Sequence, residues 1–94
     1  MTYEPKPVDT RDIQLPGELM ELTEKIAENV HEVWAEERLK QGWRYGPARD
    51  DEKKETPCLV PYGALPEAEK DDDRQTALSV LKLITAMGYR IEKK

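Results

Sequence analysis

Both tryptophans of the chain, Trp34 and Trp43, lie between Asn29 and Tyr62, together with the only histidine, His31, and the only cysteine, Cys58. Two of the four tyrosines, Tyr45 and Tyr62, share that stretch. So does a basic run, Arg38, Lys40, Arg44, Arg49, Lys53 and Lys54, in which only Asp50, Asp51 and Glu52 carry opposite charge. Indole and phenol faces stack on planar or cationic groups, and guanidinium forks pair with phosphate or carboxylate. The residues that could recognise a planar or anionic group are therefore Trp34, Arg38, Trp43, Tyr45, Arg49, Tyr62 and, further on, Arg74. The competing reading of the same set is packing: rings roof a small core while their polar tips find partners.

Other chemistries fail on residue type or spacing. His31-Glu32-Val33-Trp34-Ala35 begins like a zinc-peptidase helix, but position 35 is Ala and there is no second His. His31 is then expected to be a hydrogen-bonded structural residue. Asp50-Asp51-Glu52 and Asp71-Asp72-Asp73 lack the alternating ligands, central Gly and distal Glu of a calcium loop. The first reads as a loop ion-pair region and the second as a helix cap. Gly42 and Gly46 are isolated and begin no phosphate loop. No nucleophile, base and orienter can be assembled from one Cys and one His without a Gly-x-Ser-x-Gly elbow. Cys58, in Pro57-Cys58-Leu59-Val60-Pro61, reads as a small core residue. The expectation is a non-enzyme with no catalytic residue, no metal and no cofactor.

Two helices must position the aromatic and basic set. Residues 1–14 contain Pro5 and Pro7 and read as an extended arm, anchored by Val8, Ile13 and Leu15, with a short strand near Ile13. Helix one is expected over 16–41, opened by Pro16 and stopped by Gly42. Leu19, Leu22, Ile26, Val30 and Val33 repeat at three and four residues and form its core stripe. Met20, Ala27, His31, Trp34 and Arg38 flank that stripe, and Glu24, Glu28, Glu32 and Glu36 form a solvated acidic row opposite. Glu21–Lys25 and Glu36–Lys40 are the expected local pairs. An aromatic and basic loop spans 42–70, with a short helical turn near Ala64–Glu69. Helix two is expected over 71–88, capped by Asp71–Asp73 and stopped by Gly88. Ala77, Val80, Leu81, Ile84 and Met87 mark its main face, and Leu78 and Leu83 widen the apolar arc. A terminal strand at 89–91 completes a mainly α (α+β) fold of two long antiparallel helices, short strands and a long ordered loop.

Ninety-four residues suit one domain, 1–94, with a modest core, since apolar and charged residues each make up 37%. A formal charge of −5 argues against nucleic-acid binding, which needs phosphates neutralised. The basic run still admits a small anionic ligand. A lone cysteine makes no internal disulfide, no segment has the length of a membrane span, and no signal-peptide pattern opens the chain. A cytoplasmic protein without membrane contact is expected.

The motifs together resemble the ryanodine-receptor repeat, the RyR domain. The resemblance is carried by Pro5-Lys6-Pro7-Val8-Asp9-Thr10, Asn29-Val30-His31-Glu32-Val33-Trp34-Ala35 and Gly42-Trp43-Arg44-Tyr45-Gly46-Pro47. It continues through Arg49-Asp50, Pro57-Cys58-Leu59-Val60-Pro61-Tyr62, Asp73-Arg74-Gln75-Thr76-Ala77 and Gly88-Tyr89-Arg90-Ile91. In the large intracellular calcium-release channels such modules occur as tandem pairs in the cytoplasmic part and serve regulation and interaction. The resemblance implies a binding or interaction module that is not a channel by itself. A single copy further implies a homodimer that mimics the tandem pair. The alternatives are a sensor of a nucleotide-like anion and an oligomeric scaffold, and the possible partners are a small anionic ligand or another protein. The family supplies no ligand residues to carry over.

Overall fold

Proline sets both helix starts. The computed structural model of the chain describes residues 2–94; Met1, the first residue of the expected arm, lies outside them. α1 runs Gly17–Lys40 and α2 runs Glu67–Ala86. Pro16 and Pro66 are their N-caps, with ψ 154° and 151°. Each offers only its carbonyl: Pro16 O accepts from the Leu19 and Met20 N–H groups at 3.0 and 3.1 Å, and Pro66 O from Glu69 and Lys70 at 3.0 and 3.1 Å. α2 thus begins at Glu67, not at Asp71. The ring of Pro66 bars the α region to the preceding Leu65, which sits at ψ 149°. Glu67 and Glu69 supply the acidic first turn, and Asp71–Asp73 fall inside the helix instead of capping it.

Both helices end in the same left-handed device. Gly42 and Gly88 adopt φ 90° and 92°. Gly42 N–H bonds Leu39 O at 3.1 Å and Trp43 N–H bonds Arg38 O at 3.0 Å, the paired bonds of a Schellman motif. Gly88 N–H to Thr85 O (3.1 Å) and Tyr89 N–H to Ile84 O (3.3 Å) repeat it. In the first case the motif folds Trp43 back over the last turn of α1. The Lys54 ammonium then donates to Gln41 O at 2.9 Å, adding a cation at the negative end of that helix.

The strands form inside the loop. β1 (Arg44–Tyr45) and β2 (Glu55–Thr56) are parallel, with Arg44 opposite Glu55 and Tyr45 opposite Thr56. Asp50 also pairs with Glu55 in an antiparallel bridge, so β2 lies between two neighbours. The reversal at 51–54 is closed by Asp50, whose carboxylate accepts the Glu52 and Lys53 N–H groups at 3.1 Å each, and by Lys54 at φ 57°. The strands expected near Ile13 and at 89–91 do not form. Ile13 N–H bonds Thr10 O in a turn at 3.0 Å, and residues 89–94 leave α2 without pairing. Residues 57–61 do not pair either: Pro57 has no N–H, and the Cys58 N–H turns onto Thr56 Oγ1.

Two helices and a small sheet make an α-dominated fold with a thin core: Ala27, Tyr62 and Leu65 in one cluster, with Ala77 and Leu81 buried on α2. Cys58 and Val60 pack against that cluster half-buried. The buried face of α1 is Thr23, Ala27 and His31, rotated from the expected stripe, so Leu22 and Val33 are exposed. On α2, Ala77 and Leu81 of the expected face are buried, whereas Val80, Leu83 and Met87 are exposed. In the arm Val8 is exposed, while Ile13 and Leu15 are half-buried. Among the described residues no helix is long and apolar enough to cross a membrane.

Candidate functional site

The Schellman turn at Gly42 and the helical spacing of α1 build a column of alternating rings and cations. His31 stacks on Trp34 with centroids 5.5 Å apart and planes at 27°. The Arg38 guanidinium, one helical turn beyond Trp34, lies 5.8 Å from the Trp34 ring and 5.2 Å from that of Trp43. Arg49 covers Trp43 at 5.9 Å. Four of the seven residues singled out from the sequence, Trp34, Arg38, Trp43 and Arg49, therefore converge. They surround a gap of about 20 Å³, the size of one water molecule.

A larger space opens beside this column. About 400 Å³ is enclosed by His31 and Trp34 of α1, Arg49 and Thr56–Cys58 of the loop, Leu65, and Glu69 and Asp73 of α2. His31 is 4% exposed, and its Nε2 donates to Val60 O at 2.7 Å; a carbonyl only accepts, so Nε2 carries a proton. That bond ties the loop to α1 and gives His31 the structural role its isolation in the sequence implies. Arg49 spends its Nε on Asp51 at 2.8 Å, which holds the Asp51 carboxyl below its ordinary value, and its side chain is otherwise 69% exposed. Burial pushes the Asp73 carboxyl above its ordinary value, with His31 opposing and Asp72 reinforcing the shift.

The remaining three sequence candidates sit elsewhere. Tyr45, on β1, is 60% exposed and lines neither space. Tyr62 is buried beneath His31, ring centroids 6.3 Å apart, with its hydroxyl donating to Glu24 Oε1 at 2.9 Å. Arg74 binds Glu24 (2.7 and 3.1 Å), Glu67 (3.0 Å) and Asp71 (2.7 Å) at once. Its guanidinium is a clamp between α1 and α2, not an open anion site. Glu24 accordingly leaves the solvated acidic row and faces the helix pair. Of the expected local pairs, Glu36–Lys40 forms at 3.5 Å, whereas Lys25 pairs with Glu28 instead of Glu21.

The clamp has a pH signature. Glu24 is held below its ordinary value by Arg74 and then by Tyr62, and Glu67 by Arg74 and then by Lys70. Groups with depressed folded values contribute stability above their unfolded value of 4.5 and lose it as pH falls through the folded one. Asp73, shifted upward, works in the opposite direction. The melting temperature is expected to fall between about pH 5 and pH 3, and Arg74→Leu to flatten that slope. Equal slopes in thermal melts of the two proteins would contradict the clamp.

Glu24, Thr56, Glu69 and Asp73 were not site candidates from the sequence, where Glu24 belonged to the acidic row and Asp73 to the expected cap. Each lies in a polar run, and only the crossing of α2 over the loop and α1 gives it a place. Among the described residues no group of His, Cys, Asp and Glu is arranged to hold a metal ion.

Thus two helices, a returning loop that carries a two-strand pair, and an aromatic column are placed by motifs spread over nearly the whole length. The RyR domain sequence model matches residues 3–93. The chain belongs to the RyR domain family.

Proposed function

We propose that the chain is a non-catalytic binding module whose cleft beside Trp34 receives a small planar ligand carrying an anionic group. The observation that carries this reading is the half-open space of about 400 Å³ with Trp34 and an outward Arg49 on its wall. Pockets for small ligands run from about 300 to 1,000 Å³, apolar with a few placed polar groups, and this space falls in that range. Contact with Trp34 orients the plane, and the free Nη groups of Arg49 receive the anion. Regulation would follow from occupancy, since the cleft joins α1, the loop and α2.

Because Trp34 lines the cleft and Trp43 lies under Arg49 beside it, tryptophan fluorescence reports binding. Nucleoside monophosphates are the first probes, with thermal stabilisation as the second readout. A ligand at about a hundredfold its Kd adds about 2.7 kcal/mol to the folded state. Arg49→Ala is expected to weaken binding about tenfold through loss of a charge-assisted bond. Unchanged emission and melting at about 10 mM of every probe would remove the reading.

A second reading, an oligomeric scaffold, is favoured by the exposed stripe Val80, Leu83 and Met87 on α2. It requires Leu83→Glu to dissociate an assembly without unfolding the chain. A monomer in sedimentation at about micromolar concentration would end it.

A further inference from the structure

Four of the five acidic residues of α2 divide into two groups with different fates. Glu67 and Asp71 are engaged by Arg74, and Glu67 also by Lys70 at 3.4 Å. Glu69 and Asp73, four residues apart and so on one face of the helix, line the large cavity. Among the described residues neither has an ion-pair or side-chain hydrogen-bond partner. Two carboxylates without partners thus share the wall of a half-enclosed space, and Asp73 is partly buried there. Opposite charge from a guest would offset their mutual repulsion and the desolvation of Asp73. Trp34 lies on the adjoining wall. Arg49 is on the same cavity and offers the reverse polarity.

We propose that the ligand of this cavity is bipolar: a protonated amine or guanidinium seated against Glu69, Asp73 and the Trp34 ring, and a carboxylate or phosphate on Arg49. The inference rests on the cleft reading above and specifies its ligand class. A purely anionic guest meets two unpaired carboxylates, and a purely cationic guest meets Arg49. A guest with both charges complements both walls, and amino-acid-like molecules with a second cationic group are of a size to span them.

Three probes separate the possibilities: L-arginine, which carries both charges; agmatine, the same chain without the carboxylate; and inorganic phosphate. Tryptophan emission is the readout, with melting curves to establish that each variant is folded. L-Arginine is expected to bind about tenfold more tightly than either one-ended probe. Asp73→Asn should weaken L-arginine and agmatine but not phosphate, and Arg49→Ala should weaken L-arginine and phosphate but not agmatine. Silence toward L-arginine, or affinity no better than that of agmatine, overturns the inference. Nucleotides that bind through Arg49 and are indifferent to, or improved by, Asp73→Asn would overturn it too, while leaving the cleft reading intact. Silence toward every probe removes both.

Discussion

Tyr62→Ala is expected to remove about 3–5 kcal/mol of stability, the range for deleting a buried aromatic ring. A domain of this size has about 5–10 kcal/mol in total, so the variant would sit near the edge of folding. The effect is large because so few groups are buried. Tyr62 is 6% exposed and forms the core cluster with Ala27 and Leu65. Its ring also supports His31, whose bond to Val60 O holds the loop on α1. The Lys70 ammonium lies 5.8 Å from the centroid of the Tyr62 ring, and the hydroxyl reaches Glu24. Urea titration gives the test, with the midpoint falling in proportion to the loss. Tyr62→Phe, which keeps the ring and loses only the bond to Glu24, should cost far less. A midpoint for the alanine variant close to the wild type would mean that the loop does not complete the core.

Gly46→Ala is expected to cost about 1–3 kcal/mol, the usual result of forcing atoms into filled space. Gly46 is buried where the chain leaves β1, and its N–H bonds Thr56 O at 3.3 Å. A Cβ at this position would lie 2.6 Å from the Glu55 Cβ and 2.8 Å from its Oε1. The carboxyl end of Glu55 can swing away, but its Cβ moves only with the backbone of β2. That backbone is held on one side by Arg44 and on the other by Asp50. Strain at Gly46 therefore displaces the segment carrying Trp43 and Arg49. A double variant supplies the check: Glu55→Ala keeps the offending Cβ and should leave the Gly46→Ala defect in place, whereas Glu55→Gly should relieve it. Relief by Glu55→Ala in chemical denaturation would locate the strain in the carboxylate instead.

The helices were legible because they depend on nearest neighbours along the chain. Glycine at 42 and 88 and proline at 16 act through φ restrictions that any sequence reader can apply, and α1 ends where Gly42 requires. The start of α2 was missed because the acidic triplet imitates a cap, while the cap is Pro66. Which helical face is buried was harder. α1 has apolar residues on both the Leu22–Val33 side and the Ala27–His31 side, and only the loop lying over the latter decides between them.

The same limit applies to the site. Trp34, Arg38, Trp43 and Arg49 could be grouped because aromatic and basic side chains are conspicuous wherever they stand. Arg74 looked equivalent, but three carboxylates from two helices converge on it, and no local pattern announces that. Glu69 stood in the expected loop and Asp73 in the expected helix cap. Their character comes from lining a cavity, which is a property of the tertiary arrangement. The strands were misplaced for a related reason: pairs only two residues long have no periodicity to read.

Arg38 stands between the two indoles, facing both. The protein is consequently its own competitor there. Any flat visitor that would be gripped on both sides must first displace an internal occupant that arrives with every copy of the chain. The slot between the rings is thus already filled by a group of the chain itself.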